Sequence, residues 1–206
     1  FIRNNANSRG VKKYIANTCT VLINYVEKYD QELIEHIIPI QSPAICTAIY
    51  AHKYLGDTST IALISPCIAK DDELKSVNTD NNINYNVTFQ NLMKHFDNIP
   101  LDNYHAESDL TTSGLGNVFS IKGTFKEMIS LFFPPSEMIV GYEGLNEAIR
   151  NIRHFHSRKD DPNFIQPLFV DFLNCKDGCV AGGGIEKKGS NSYNIILEYL
   201  KKRQQA

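Results

Sequence analysis

The chain has no apolar run long enough to cross a bilayer: its longest, residues 61–64 and 164–173, fall far short of the roughly 20 residues that a spanning helix needs. It has no surplus of charge either, with 21 Lys and Arg against 23 Asp and Glu, a formal net charge of -2 and a pI near 6.3. Nucleic acid and anionic membrane surfaces are therefore not expected as partners. Neither an initiator Met nor a signal peptide precedes Phe1-Ile2-Arg3, so the expectation is a piece of a longer cytoplasmic protein. An even cysteine count is missing too. Five cysteines argue against a fully paired disulfide framework, and in a reduced compartment clustered thiols bind metal or sit in the core. No internal repeat is evident. A nucleotide loop is absent as well, because Gly114-Leu115-Gly116 lacks the later glycine and the strand-to-helix setting that a dinucleotide requires.

What is present is enough for a core: 206 residues, 42% apolar and 21% charged, suit one or at most two globular units. The pattern alternates between helix and strand. Apolar residues at Val21, Leu22, Tyr25, Val26, Tyr29 and Leu33 keep helical spacing and predict one helix from Cys19 to about His36. Ser42-Pro43 is a favourable cap and first turn for a second helix that runs to Gly56. Residues 60–65 predict a buried strand stopped by Pro66, which places Cys67 at its carboxyl end, where open α/β sheets bind ligands. The Asn-, Asp- and Ser-rich segment 74–84 predicts a surface loop and a lobe boundary near 75–85.

Further on, residues 85–87 predict a strand and 88–96 a helix capped by Thr88. A glycine-bearing loop over 111–123 leads to a helix at 124–132, which Pro134-Pro135 stops. A strand at 138–142, a helix at 144–152, a charged loop at 153–163, a strand at 168–173 that delivers Cys175, and a last helix at 193–203 complete the expectation. His154-x-His156 reads as part of the solvated loop, and the other histidines show no ligand spacing.

Three segments carry the chemistry. Cys175-Lys176-Asp177-Gly178-Cys179 is followed at once by Gly182-Gly183-Gly184; Ser65-Pro66-Cys67 is followed by Lys70 and Glu73; Asn17-Thr18-Cys19-Thr20 stands near the start. Thiolate is the preferred ligand of iron-sulfur clusters because soft, anionic sulfur binds iron through its redox changes. Glycines at 182–184 remove side chains and permit backbone amides to approach such a cluster. The other reading is a zinc pair, for which tandem cysteine pairs of shorter spacing are the usual pattern. Cys46 lies on the apolar face of its helix and is expected to be a core thiol.

Over about residues 16–184 the chain resembles the cluster-binding domain of iron-only ([FeFe]) hydrogenases. Cys19 with Glu27-Lys28-Tyr29, Glu32-Leu33 and Ser42-Pro43 is similar to that family's first signature; Pro66-Cys67, Lys70 and Glu73 are similar to its second; Cys175, Gly178, Cys179 and Gly182–Gly184 are similar to its third. Gly114-Leu115-Gly116-Asn117-Val118-Phe119 and Gly144-Leu145-Asn146 are similar to the segments between them. The resemblance implies an α/β fold of two lobes, with mostly parallel sheets flanked by helices, clasping an iron-sulfur cluster over residues 1–206. It implies Cys19, Cys67, Cys175 and Cys179 as ligands of a [4Fe-4S] cluster, with Cys179 also bridging to a two-iron subcluster. Pro66, Gly182, Gly183 and Gly184 would line the cofactor. Lys70 would donate a charge-assisted hydrogen bond to it, and Ser42 another. Glu73 reads as a local ion-pair partner.

The departures bear on function. The cysteine that passes protons in high-turnover members is Thr18 here, and a hydroxyl titrates far too high to replace a thiol, whose pKa is about 8.5. The relay serine falls on Ile38, and methionines beside the ligands become Ser65 and Leu173. These changes resemble the sensory, low-turnover (PAS-associated) branch. The resemblance then implies slow interconversion of protons and dihydrogen, a ferredoxin-like electron partner and an attached signalling domain. A non-catalytic iron-sulfur protein like the cluster-assembly relatives, or a shell without metal, are the alternatives.

Overall fold

The computed structural model describes residues 14–97, 99, 119–135, 138–158 and 160–185. The glycine loop ahead of Phe119 and the helix expected over 193–203 lie outside the described residues. Two parallel sheets flanked by helices make an α/β fold. One has the order β1-β5-β4, from β1 (Tyr14–Ile15), β4 (Ile139–Glu143) and β5 (Phe169–Leu173); the other pairs β2 (Ala62–Ser65) with β3 (Tyr85–Thr88).

The three-stranded sheet is the better buried. Every residue of β5 is buried, and its two faces serve two clusters. Val170 and Phe172 pack with Leu22 and Val26 of α1 (Thr20–Tyr29) and with Ala148, Ile152 and Phe155 of α6 (Leu145–Ser157). Phe169 packs on the other face with Tyr14, Ala16 and Ile38, backed by Phe125 and Ile129 of α5 (Thr124–Ser130). The two-residue β1 has no sequence signature, since its conformation comes from pairing with Phe169 and Val170.

The smaller sheet follows a different rule. Residues 60–65 predicted a buried strand, but Ala62 and Ile64 are exposed while Leu63 packs on the cluster of Ile45, Ala48, Leu74 and Ile83. With a single covered face, β2 alternates in burial despite its continuous apolar sequence. The segment 74–84 connects β2 to β3 within this one sheet, through α3 (Lys70–Leu74) and a 3-10 turn (Val77–Thr79), and it buries Leu74, Thr79 and Ile83.

Helix α2 (Pro43–Tyr54) begins as expected, with the Ser42 hydroxyl accepting from Ile45 N–H at 3.5 Å. Thr88 likewise caps α4 (Phe89–Phe96), accepting from Asn91 N–H at 3.2 Å. The first helix departs from expectation at Asp30, where φ -140° and ψ 56° end α1, and the chain continues as a 3-10 helix over Gln31–His36. Three residues per turn place Leu33 and His36 together on the buried side. The charged segment after Ile152 is helix up to Ser157, not loop. Ala148, Ile152 and Phe155 continue the buried stripe, Arg153 and His154 decorate its outer side, and His156 is half-buried beside His36. His154 meets the Phe164 ring edge-on at 5.3 Å, and His156 Nε2 contacts Glu32 Oε2 at 3.0 Å, so the two belong to a packed helix and not to a solvated loop. Cys46 is exposed, with its thiol directed to the Gln41 carbonyl at 3.4 Å, so the expected core thiol is a surface one.

Candidate metal centre

One strand of each sheet, β2 and β5, ends at a cysteine turn. β2 stops at Ser65, whose buried hydroxyl donates to Asn86 Oδ1 at 2.6 Å and accepts from Cys67 N–H at 3.3 Å; Asn86 Nδ2 donates to the Cys67 carbonyl at 2.9 Å. The side chain of β3 therefore holds the turn that presents the Cys67 thiol. β5 ends at Leu173 and passes through Asn174 to Cys175. The Asn174 N–H donates to Cys19 Sγ at 3.4 Å, and its side-chain amide lies 4.0 Å from Cys175 Sγ. Cys19 stands just ahead of α1, so three chain segments converge.

The last segment closes the arrangement through contacts only glycine permits. Gly178 has φ +82°, and a Cβ there would lie 2.7 Å from Lys122 N. Gly182 has an ordinary φ of -66°, but a Cβ on it would lie 2.3 Å from the Pro66 carbonyl oxygen. Gly184 is pressed against Thr88 and Pro66, and its N–H donates to Pro66 O at 2.9 Å. Gly183 is exposed and has room. The glycines thus bolt the Cys179 turn to the Cys67 turn; their absent side chains make space for the neighbouring backbone.

The four thiols are half-buried and influence one another. Burial pushes the Cys179 thiol up to about 12, the charges of Cys19, Cys175 and Cys67 push the same way, and Lys70 opposes them. Burial also raises Cys19, against the pull of the Asn174, Leu22 and Val21 N–H groups. For Cys19 and Cys179 the raised values favour the protonated thiol, and a metal cluster would supply the positive charge that deprotonates them. The donor set therefore fits an iron-sulfur cluster. Among the described residues no group of three His, Cys, Asp or Glu side chains is placed to hold a single metal ion.

Glu73 organises the polar side of the site. Its carboxylate accepts from Thr20 Oγ1 at 2.6 Å, from the Ser42 hydroxyl and from the Lys70 ammonium. Lys70 also donates to the Thr18 carbonyl at 3.3 Å. The Ser42 hydroxyl proton is committed to Glu73. Thr18 Oγ1 is buried without a hydrogen-bond partner, and Ile38 is 6% exposed in an apolar cluster. Two residues of the region escaped the sequence reading. Asp171, 2% exposed in the middle of β5, has Oδ1 unpaired, and Glu143 at the end of β4 pairs with Lys122 at 3.5 Å. A lone carboxylate inside the apolar run 168–173 was the available signal.

The sequence profile of the family described as "Iron only hydrogenase large subunit, C-terminal domain" matches residues 2–183, and the chain belongs to that family. No curated protein sequence matches it. Among solved structures, an apo form of the [FeFe]-hydrogenase HydA1 from Chlamydomonas reinhardtii superposes with a TM-score of 0.71 at 16% identity, covering 96% of this chain and 67% of that one. The [FeFe]-hydrogenase HydA(deltaEFG), described for stepwise H-cluster assembly, gives a TM-score of 0.68 at 15% identity, covering 96% and 67%. A third, from a study of [FeFe]-hydrogenase oxygen inactivation, gives 0.65 at 14% identity, covering 90% and 64%. At these identities the likeness is one of fold, and the chain spans about two thirds of the relatives' length. Among the described residues no helix is long and apolar enough to cross a membrane.

Proposed function

We propose that this chain holds a [4Fe-4S] cluster on Cys19, Cys67, Cys175 and Cys179, and supports a linked two-iron site of the hydrogenase type with slow turnover, suited to sensing hydrogen or redox state. The observation that carries this reading is the convergence of the four cysteine segments: Asn174 reaches both Cys19 Sγ and Cys175 Sγ, and Gly182 and Gly184 press the Cys179 turn onto Pro66 beside Cys67. When bound, the group supplies the redox chemistry that interconverts protons, electrons and dihydrogen. The protein's part is to fix the thiols, to hold an ammonium beside them, and to control proton access. Lys70, aligned by Glu73 and the Thr18 carbonyl, places positive charge at the ligands and suits an anionic group of the cofactor. Slow turnover is supported by Thr18, a buried hydroxyl just ahead of Cys19 where the family's fast members carry a thiol, and by Ile38, an apolar residue where they carry a relay serine. Dihydrogen and protons are the proposed substrates, with a ferredoxin-like domain or protein as electron donor and an attached signalling domain as reader.

The test is anaerobic cluster insertion into the full chain, followed by iron analysis. Wild type should hold about four irons when only the cubane is supplied. Cys67→Ser and Cys175→Ser should lose them, while Cys46→Ser, on the exposed face of α2, should keep them. Equal losses in all three would sink the ligand assignment. After maturation, infrared bands of metal-bound carbonyl and cyanide with slow hydrogen evolution support the reading; iron without those bands points instead to a non-catalytic iron-sulfur role.

A further inference from the structure

Behind the Cys175 turn, on the α5 face of the three-stranded sheet, lies a carboxylate that the ligand set does not use. Asp171 stands opposite Gly141 in register, and Glu143, two residues further along β4, projects from the same face. Phe125, Ile129, Phe133 and Phe169 make the surroundings apolar. The charged and titratable groups facing Asp171 are few. Glu143 is its neighbour on β4; the Lys126 stem lies over Gly141 with its ammonium paired to Glu127 at 3.0 Å; Tyr14 belongs to the same apolar cluster on the β1 side. Beyond Glu143, Lys122 is half exposed and reaches solvent, and its backbone packs against Gly178, the residue before Cys179. A file of ionisable groups thus runs from solvent through Lys122 and Glu143 to Asp171, beside the strand that ends at a ligand.

We propose that Asp171 and Glu143 form a buried proton-holding pair that takes up one proton from solvent when the neighbouring cluster gains one electron, and returns it on reoxidation. The step balances: one electron passes from a low-potential donor to the cluster, one proton from water to a carboxylate, and no net charge is added to the interior. Three observations support it. Among the described residues Asp171 Oδ1 has no hydrogen-bond partner and no cation against it, which suits the carboxyl to holding a proton better than a charge. Burial, and then the Glu143 charge, push Asp171 up to about 7, where small changes in nearby charge shift its protonation. Asp171 lies four residues before Cys175, roughly 13 Å along the strand, and one added negative charge at that distance raises its titration midpoint by about one pH unit. The inference rests on the cluster reading above for the electron, and on the carboxyl pair alone for the proton.

The experiment is infrared difference spectroscopy on the full chain carrying only the cubane, oxidised against reduced by viologen, together with the cluster's midpoint potential followed by electron paramagnetic resonance across pH. Reduction should produce a carboxylic-acid C=O band that shifts in D₂O, disappears in Asp171→Asn, survives at a moved frequency in Asp171→Glu, and is altered in Glu143→Gln. The midpoint potential should fall with rising pH in wild type and become flat in Asp171→Asn. A pH-dependent potential unchanged in Asp171→Asn, or no carboxyl band in a cluster that reduces fully, overturns the proposal. Should the chain take up no cluster, the hydrogenase reading fails separately. The same band titrated by pH in the cluster-free chain then still decides for or against a proton on Asp171 near neutrality.

Discussion

The two sheets do the same work with different support. Each ends in a cysteine turn, β5 at Cys175 and β2 at Cys67, but β5 is buried along its whole length and β2 is covered, among the described residues, on one face only. The β5 turn is positioned by packing from both sides, with Phe172 at 0% exposure among helices α1 and α6. The β2 turn is positioned by polar contacts and by a second backbone: Ser65, Asn86 and the Gly184-to-Pro66 hydrogen bond fix it locally. A cysteine can therefore be placed by a core or by a short polar brace. The stability cost of disturbing the two should differ accordingly.

The largest effect should come from emptying the core behind Cys175. Phe172→Ala removes a ring that touches both flanking helices and stacks with Tyr142 at 5.6 Å. It should cost about 3–5 kcal/mol in stability, enough to release the proposed cluster with the fold. Denaturant unfolding of wild type and variant measures this; a loss under about 1 kcal/mol would mean that β5 is not the structural centre the burial describes.

Next comes the charge that only the buried sheet carries. Asp171 has its carboxyl raised to about 7 by burial and by Glu143, so from about pH 4 to 7 the folded chain holds a proton the unfolded chain has lost. More protons bound to the folded state means that stability falls as pH rises through this window and levels off above it. The full penalty is on the order of 4 kcal/mol, about three pH units at roughly 1.4 kcal/mol each. Asp171→Asn should abolish that slope: its thermal midpoint relative to wild type should climb between pH 4 and 7 and stay constant beyond. Parallel curves for the two proteins would place an ionised, solvated Asp171 in the protein instead.

The same contrast sets what the sequence discloses. Ser42 and Thr88 announce their helices because a cap is a local device, one side chain bonding a backbone group three residues on. The cysteine turns are legible because their signatures are contiguous. What escapes is what distant partners decide. β1 exists through β5; α1 breaks at Asp30, whose carboxylate engages Arg153 at 3.2 Å from α6; Cys46 falls outside the stripe of Ile45 and Ala48 that faces the core. Charge hid the end of α6, since Arg153, His154 and His156 outweigh Phe155 when composition is read without its period. Asn86 is similar: in sequence it starts an Asn-x-Thr triplet, and in the fold it holds the Cys67 turn.

The smallest expected effect sharpens the comparison most. Ile64 sits in the middle of β2, on the same strand that leads to Cys67, and is 49% exposed because its face of the two-stranded sheet is open among the described residues. Ile64→Thr keeps the branched shape that suits a strand and replaces the ethyl arm with a hydroxyl that water can satisfy. Stability should change by less than about 1 kcal/mol, and iron content not at all, since Ser65 and Asn86 rather than Ile64 hold the turn. Leu63→Thr, directed into the cluster of Ile45 and Ala48, is the internal control and should cost clearly more. A loss above about 2 kcal/mol for Ile64→Thr would show that this face is packed in the folded protein, giving β2 the two-sided support that separates β5 from it here.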